Sequence, residues 1–168
     1  MSSMMEPMLH EFREEAVVTK RILERVPADK LSWKPHQKSM SLGQLALHIA
    51  TVPGALAKIS QLDEFDAGKA NFNPPAPKNV EEIQSALNDS VRAAEECIGG
   101  MSEQQARGSW RLMVHGKEAS SRPRVEMLRS IMLNHWYHHR GQLSVYLRLL
   151  DVPVPVIYGP SADENPFS

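Results

Sequence analysis

The 168-residue sequence holds one cysteine, Cys97. A single thiol excludes an internal disulfide framework and a cysteine-based zinc site; in an apolar helix context it reads as a small buried hydrophobe. An excess of either charge is also missing: 19 Lys+Arg stand against 20 Asp+Glu, for a formal net charge of -1. A nucleic-acid binder needs a basic face to neutralise phosphates, so no nucleic-acid partner is expected. The charges that are present are interleaved, as in HEFREEAVVTKRILERV, the pattern of a solvated helix face. Nothing apolar approaches the roughly 20 residues that span a bilayer, and the N-terminal stretch lacks the h-region of a signal peptide. A single domain in the cytoplasm, without membrane association, is the expectation.

Helical periodicity occupies most of the chain. It runs over 6–26, with Leu9, Phe12, Ala16, Thr19 and Val26 at three- and four-residue steps, and again from Ser41, where SLGQ matches a capping box with Ser41 as N-cap and Gln44 three residues on. Pro53-Gly54 predicts a kink in this second helix rather than its end. The stretch 63–79 is rich in Pro, Gly and Asn and reads as a long linker. A third helix is expected over 80–98, closed by Gly99-Gly100. GSWRLMVHGKEASS then alternates around an HGK turn, as a short hairpin would. A fourth helix is expected over 123–150, ended by Pro153 and Pro155, with an irregular tail over 151–168 whose apolar part packs back on the body. Four helices of this kind make an all-α antiparallel bundle the natural architecture.

The fourth helix carries NHWYHHRGQ, three of the chain's seven histidines in five positions. On a helical wheel centred on His135, Leu128, Ile131, Met132, Gln142 and Tyr146 share its face, and His139 lies about 40° away. His138 falls at the margin, and Arg140 points off by about 140°. The same exercise on the second helix puts His48 on a face with Gln44, Leu45, Val52 and Ile59. One histidine on an apolar face is ordinarily a satisfied core residue. Three facing one core need many hydrogen-bond partners, each loss costing about 1–3 kcal/mol, whereas one divalent ion satisfies three nitrogens at once. The i, i+4 spacing of His135 and His139 lets both rings converge on such an ion.

Around these positions the sequence resembles the DinB family. SLGQLALHIATVPG and NHWYHHRGQLSVYLRLLDVPVPVIYGPSADE carry the resemblance, with a W-x-P loop at Trp33 to Pro35. It implies an up-down-down-up four-helix bundle with a long crossover between helices 2 and 3, a homodimer, and a metal triad at His48, His135 and His139. Some relatives transfer groups to low-molecular-weight thiols and others are regarded as hydrolases, so either activity is expected on a small-molecule substrate. The alternative is a non-catalytic protein that binds a metal or stress metabolite.

Three neutral imidazoles leave open positions at which a divalent ion can activate water, polarise a carbonyl or hold a thiolate. All-nitrogen ligation suits zinc or nickel first, then iron or manganese. Gln44, Gln142 and Tyr146, on the histidine-bearing faces, are candidates to orient the ligands or touch substrate, although core packing fits Tyr146 better. Gly141 costs about 1 kcal/mol in a helix interior and predicts close approach of a neighbouring helix. Arg140 is expected to pair with another helix or subunit, and Trp136 and Tyr137 to pack at a seam. Trp33, Phe72 and Trp110 fall in loops where packing is the first expectation.

Overall fold

A computed structural model describes residues 4–167. The first long helix, α1 (Glu6–Leu23), starts with a proline in its first turn and carries Lys20 and Arg21 in its last, placing each where a helix end favours it. It buries Met8, Phe12, Ala16, Thr19, Ile22 and Leu23, one stripe of a 3.6-residue repeat. Helix α2 (Leu42–Ile59) opens with the expected capping box: Gln44 N–H donates to Ser41 Oγ at 3.2 Å, and Ser41 N–H to Gln44 Oε1 at 3.0 Å.

Pro53 sits inside α2 without ending it. A proline there cannot donate to the carbonyl four residues back and crowds it as well. The carbonyl concerned, that of Ile49, instead accepts the indole N–H of Trp136 at 2.9 Å. The next amide, Gly54 N–H, donates to Ser90 Oγ at 2.8 Å, and Ser90 lies on α3 (Val80–Gly99). The groups around Pro53 are thus satisfied from two sides, by α3 and by the last helix.

Gly54 is also a point of close approach between α2 and α3. A Cβ there would stand 2.8 Å from the Ser90 Cα and carbonyl oxygen, both backbone atoms that cannot move aside alone. Gly54→Ala is therefore expected to destabilise by roughly 1–3 kcal/mol through overpacking, despite alanine's better helix propensity. Thermal denaturation checks this: a Tm several degrees lower is expected, and an unchanged or higher Tm contradicts the close approach.

After α3 comes a short helix, α4 (Glu103–Arg107), with its own capping box from Ser102 and Gln105. A three-stranded sheet follows the order β1 (Glu64–Asp66), β2 (Ser109–Val114), β3 (Lys117–Pro123), with β1 parallel and β3 antiparallel to β2. The β2–β3 hairpin turns through His115 at φ 49° and Gly116 at φ 76°, the two left-handed residues of a type I′ turn. The all-α expectation is corrected here: the chain is mainly helical with a small mixed sheet. The linker is correspondingly not wholly irregular. Asp66 accepts from the N–H groups of Gly68, His115 and Gly116 at 3.0, 2.9 and 2.9 Å, and so pins the crossover to the hairpin tip.

The last helical segment is three pieces in one run: α5 (Arg124–Met127), a π-helical stretch (Leu128–Leu133) and α6 (Asn134–Leu149). It lies antiparallel along α2. Arg124 Nε reaches the Ser60 carbonyl at 3.0 Å, Trp136 reaches Ile49, and the Tyr146 hydroxyl donates to the Met40 carbonyl at 3.2 Å. The four long helical segments touch in a ring, α1 with α3 and α6, and α2 with α3 and α6. By length and composition α2 meets the test for a membrane span, with mean hydropathy 1.2 over 18 residues. Its Leu45, Ala46, Ile49 and Ala50 are nevertheless fully buried within the protein, as in a core helix.

Beyond α6 the described residues 152–167 form no helix or strand. Val154 is buried in the core. Asp163 pairs with Arg148 and accepts from Val154 N–H, and Glu164 pairs with Arg25 and accepts from Val156 N–H. Ser168, at the end of the expected tail, lies outside the described residues.

Candidate metal centre

The buried face of α6 is Trp136, Arg140, Leu143 and Leu147. This corrects the wheel drawn from the sequence, which centred the core stripe on His135. His135 and His139 occupy the edge of that stripe, half-buried, with Gln142 exposed beside them. Two physical causes account for the rotation. The π stretch breaks the even 100° step on which the wheel depends, and the core accepts a charged residue because Arg140 finds an ion partner there.

His48, half-buried on α2, meets this edge. His48 Nε2 and His135 Nε2 stand 3.0 Å apart. Ring centroids are separated by 5.2 Å for His48–His135, 4.6 Å for His48–His139 and 4.5 Å for His135–His139. One ring nitrogen from each lies within 4.8 Å of the others. Two nitrogens on one tetrahedral zinc, each 2.0–2.1 Å from it, would be about 3.3 Å apart, so the donor set fits a shared divalent ion. Among the described residues no carboxylate, thiolate or further histidine joins the cluster, which leaves coordination positions open.

Gln142 supplies the orientation. Its Oε1 lies 2.7 Å from His139 Nδ1, so an N–H at Nδ1 donates to the amide and leaves Nε2 with its lone pair free for a cation. The other two candidates are placed differently. Gln44 spends its amide on the Ser41 cap and on the Pro74 carbonyl, 3.0 Å from Nε2. Tyr146 donates to the Met40 carbonyl and meets Trp33 edge-on at 5.7 Å. His138 is exposed, its ring 4.9 Å from that of His139.

Burial lowers the pKa of His48 from 6.5 to about 4, and the neighbouring His139 and His135 add to the effect. Burial likewise brings His135 from 6.5 to about 4, with help from His139 and His138. His139 is lowered by burial and by His138, Gln142 acting in the opposite sense. All three are therefore neutral near pH 7, as ligation requires. The sign for the metal-free protein follows. An unfolded histidine takes up its proton near 6.5, whereas folded His48 and His135 resist to about 4. Between those values the unfolded chain binds more protons, so stability falls as pH falls. Urea midpoints of the metal-free protein at pH 7 and pH 4.5 are expected to differ in that direction. Replacing His48 with Gln should shrink the difference, and an undiminished slope in that variant would remove the triad as its source.

The model of the DinB family matches residues 1–165. The chain belongs to the DinB family. Among solved structures, a DinB-like protein from Bacillus cereus has a TM-score of 0.71 at 22% identity, covering 91% of this chain and 97% of its own. A second DinB-like protein, YjoA from Bacillus subtilis, has a TM-score of 0.69 at 20% identity, covering 90% and 97%. A further relative, the uncharacterized protein YrdA of Bacillus subtilis, is 23% identical over 163 residues, 89% of this chain and 85% of its own length. At these identities the structural likenesses establish the fold only.

Several residues of this DinB chain have places that the sequence reading did not foresee. Arg140 is 1% exposed and pairs with Glu15 of α1 at 2.5 Å; the pairing with another helix was expected, the depth was not. Gly141 has nothing within 4 Å of a Cβ position, so no helix approaches it within the chain. Trp136 stacks on Phe12 at 5.3 Å, Tyr137 donates to Glu11 at 2.9 Å, and Trp110 is buried in β2 rather than a loop, donating to the Ile59 carbonyl at 3.3 Å. Phe72 remains exposed in the crossover. Cys97 is half-buried, and burial raises its thiol pKa, the condition of an unreactive cysteine.

Proposed function

We propose that this chain is a divalent-metal-dependent enzyme that transfers a group to or from a low-molecular-weight thiol, with His48, His135 and His139 holding the ion. The observation that carries the reading is the three-imidazole cluster on the edge of the α2–α6 seam, with one nitrogen of each ring within 4.8 Å and no fourth side chain closing it among the described residues. A divalent ion held there supplies Lewis acidity and an anchor for an electron-rich sulfur or oxygen. The chain's own part is to keep three lone pairs neutral and aimed, through burial and through Gln142 on His139. With Cys97 on α3 raised in pKa and outside the cluster, the thiol is a cosubstrate rather than a side chain. Zinc or nickel best suits the donors, with iron or manganese as further occupants.

The reading extends to a cytoplasmic homodimer acting on a small molecule, with no nucleic-acid partner and no membrane association, and to an up-down-down-up arrangement of the four long helical segments. The dimer is supported by exposed Val145 and Leu149 in line with open Gly141 on α6, and the arrangement by the ring of helix contacts. Protein purified without a histidine tag and loaded with zinc or nickel should consume glutathione, bacillithiol or mycothiol in the presence of a generic electrophile, and His135→Ala should not. Hydrolysis of an activated ester without thiol consumption would reassign the reaction at the same centre. Turnover of neither would favour a non-catalytic metal- or metabolite-binding protein.

A further inference from the structure

Each ligand histidine of α6 is followed by a residue buried on the core side, Trp136 after His135 and Arg140 after His139. Successive residues on a helix stand about 100° apart, so whatever pins positions 136 and 140 also sets the direction of 135 and 139. Trp136 is pinned by the Ile49 carbonyl. Arg140 is pinned by two separate parts of the chain.

One of them is α1. Arg140 Nη1 donates to the Glu15 carbonyl at 3.2 Å and to Thr19 Oγ1 at 3.1 Å, and Nη2 to Glu15 Oε2 at 2.5 Å. The other is the C-terminal segment. Arg140 Nη2 also donates to the Tyr158 hydroxyl, which in turn donates to Glu15 Oε2 at 3.0 Å. The guanidinium carbon lies 5.2 Å from the Tyr137 ring centre and 5.0 Å from that of Tyr158, within cation–π range. A buried guanidinium tolerates little loss of partners, so Tyr158 is part of what makes its position single-valued. Tyr158 is itself held in place, between buried Val154 and the Asp163 and Glu164 pairs to Arg148 and Arg25.

We infer that the C-terminal segment 152–164 is a positioning element of the metal centre: through Tyr158 it fixes Arg140, and through Arg140 the angle at which α6 presents His139 and His135 to His48. The inference rests on the metal reading above. It makes the affinity of a site on one side of α6 depend on a hydroxyl contributed from the other side, at a residue 69% exposed to solvent.

The test is zinc affinity, measured on the full chain by competition with a chromophoric chelator, together with the visible spectrum of the cobalt-substituted protein. Tyr158→Phe keeps the ring on Arg140 and removes only the hydroxyl, at an exposed position that tolerates the change. It should weaken zinc binding about threefold, the weight of one modest hydrogen bond. Arg140→Lys should weaken it about tenfold, the low end for partners outside the ligand set, and should alter the cobalt spectrum. Asp66→Asn loosens the crossover without touching α6 and should leave affinity and spectrum unchanged. Wild-type affinity in both Tyr158→Phe and Arg140→Lys would overturn the inference while leaving the metal site intact. An equal loss in Asp66→Asn would overturn it too, by reducing the effect to general destabilisation. A wild-type chain that takes up no ion would remove the metal reading and this inference with it.

Discussion

His135→Ala is expected to lower bound divalent metal from about one ion per chain, as a single three-histidine site implies, to a small residue after dialysis. His135 Nε2 stands 3.0 Å from His48 Nε2. Its removal leaves one ligand on α2 and one on α6, with no carboxylate among the described residues to replace it. The apo protein should lose little stability, because His135 is half-buried at the edge of the core, its pKa already lowered to about 4 by that burial. Elemental analysis of tag-free protein gives the first number and calorimetry the second. Equal metal in mutant and wild type would mean that the ion sits elsewhere.

Trp136→Ala should do the reverse, costing about 3–5 kcal/mol, as full truncation of a buried aromatic does. The indole is fully buried, stacks on Phe12 at 5.3 Å and donates to the Ile49 carbonyl at 2.9 Å. That carbonyl has lost its helical donor to Pro53, so the indole supplies the bond the helix cannot. Trp136→Phe separates the two contributions: the ring contact largely survives, and the unsatisfied carbonyl alone costs about 1–3 kcal/mol. Denaturant unfolding of the two variants should rank them in that order. A phenylalanine variant as stable as wild type would mean that Ile49 finds another donor, and the link from Pro53 in α2 to the setting of α6 would fail.

These two neighbouring residues show which features were legible in the sequence. Patterns that act locally could be read directly: the Ser41 capping box, the His-Gly turn of the hairpin, the proline-tolerant α2 and the stops of α3 and α6. The shared face of the i, i+4 histidines was legible as well, because such spacing is a property of one helix. Features that depend on distant partners were not. Arg140 reads as an ion-pair partner for another helix or subunit, but its burial does not show until Glu15, 125 positions earlier, is known to meet it. The π stretch at 128–133 has no sequence mark, so the wheel carried its error into the histidine face. β1 is only three residues long and exists because Asp66 finds the hairpin tip. The short helix α4 was not read, although Ser102 and Gln105 repeat the capping-box spacing, because five residues carry too little periodicity to stand out.

Imidazoles from positions 48, 135 and 139 are expected to share one cation. X-ray absorption at the zinc edge of tag-free, zinc-loaded protein measures that coordination sphere directly. Three imidazole nitrogens at about 2.0–2.1 Å, completed by oxygen from solvent, are expected; sulfur ligation, or fewer than three imidazoles in the wild-type protein, would contradict the account.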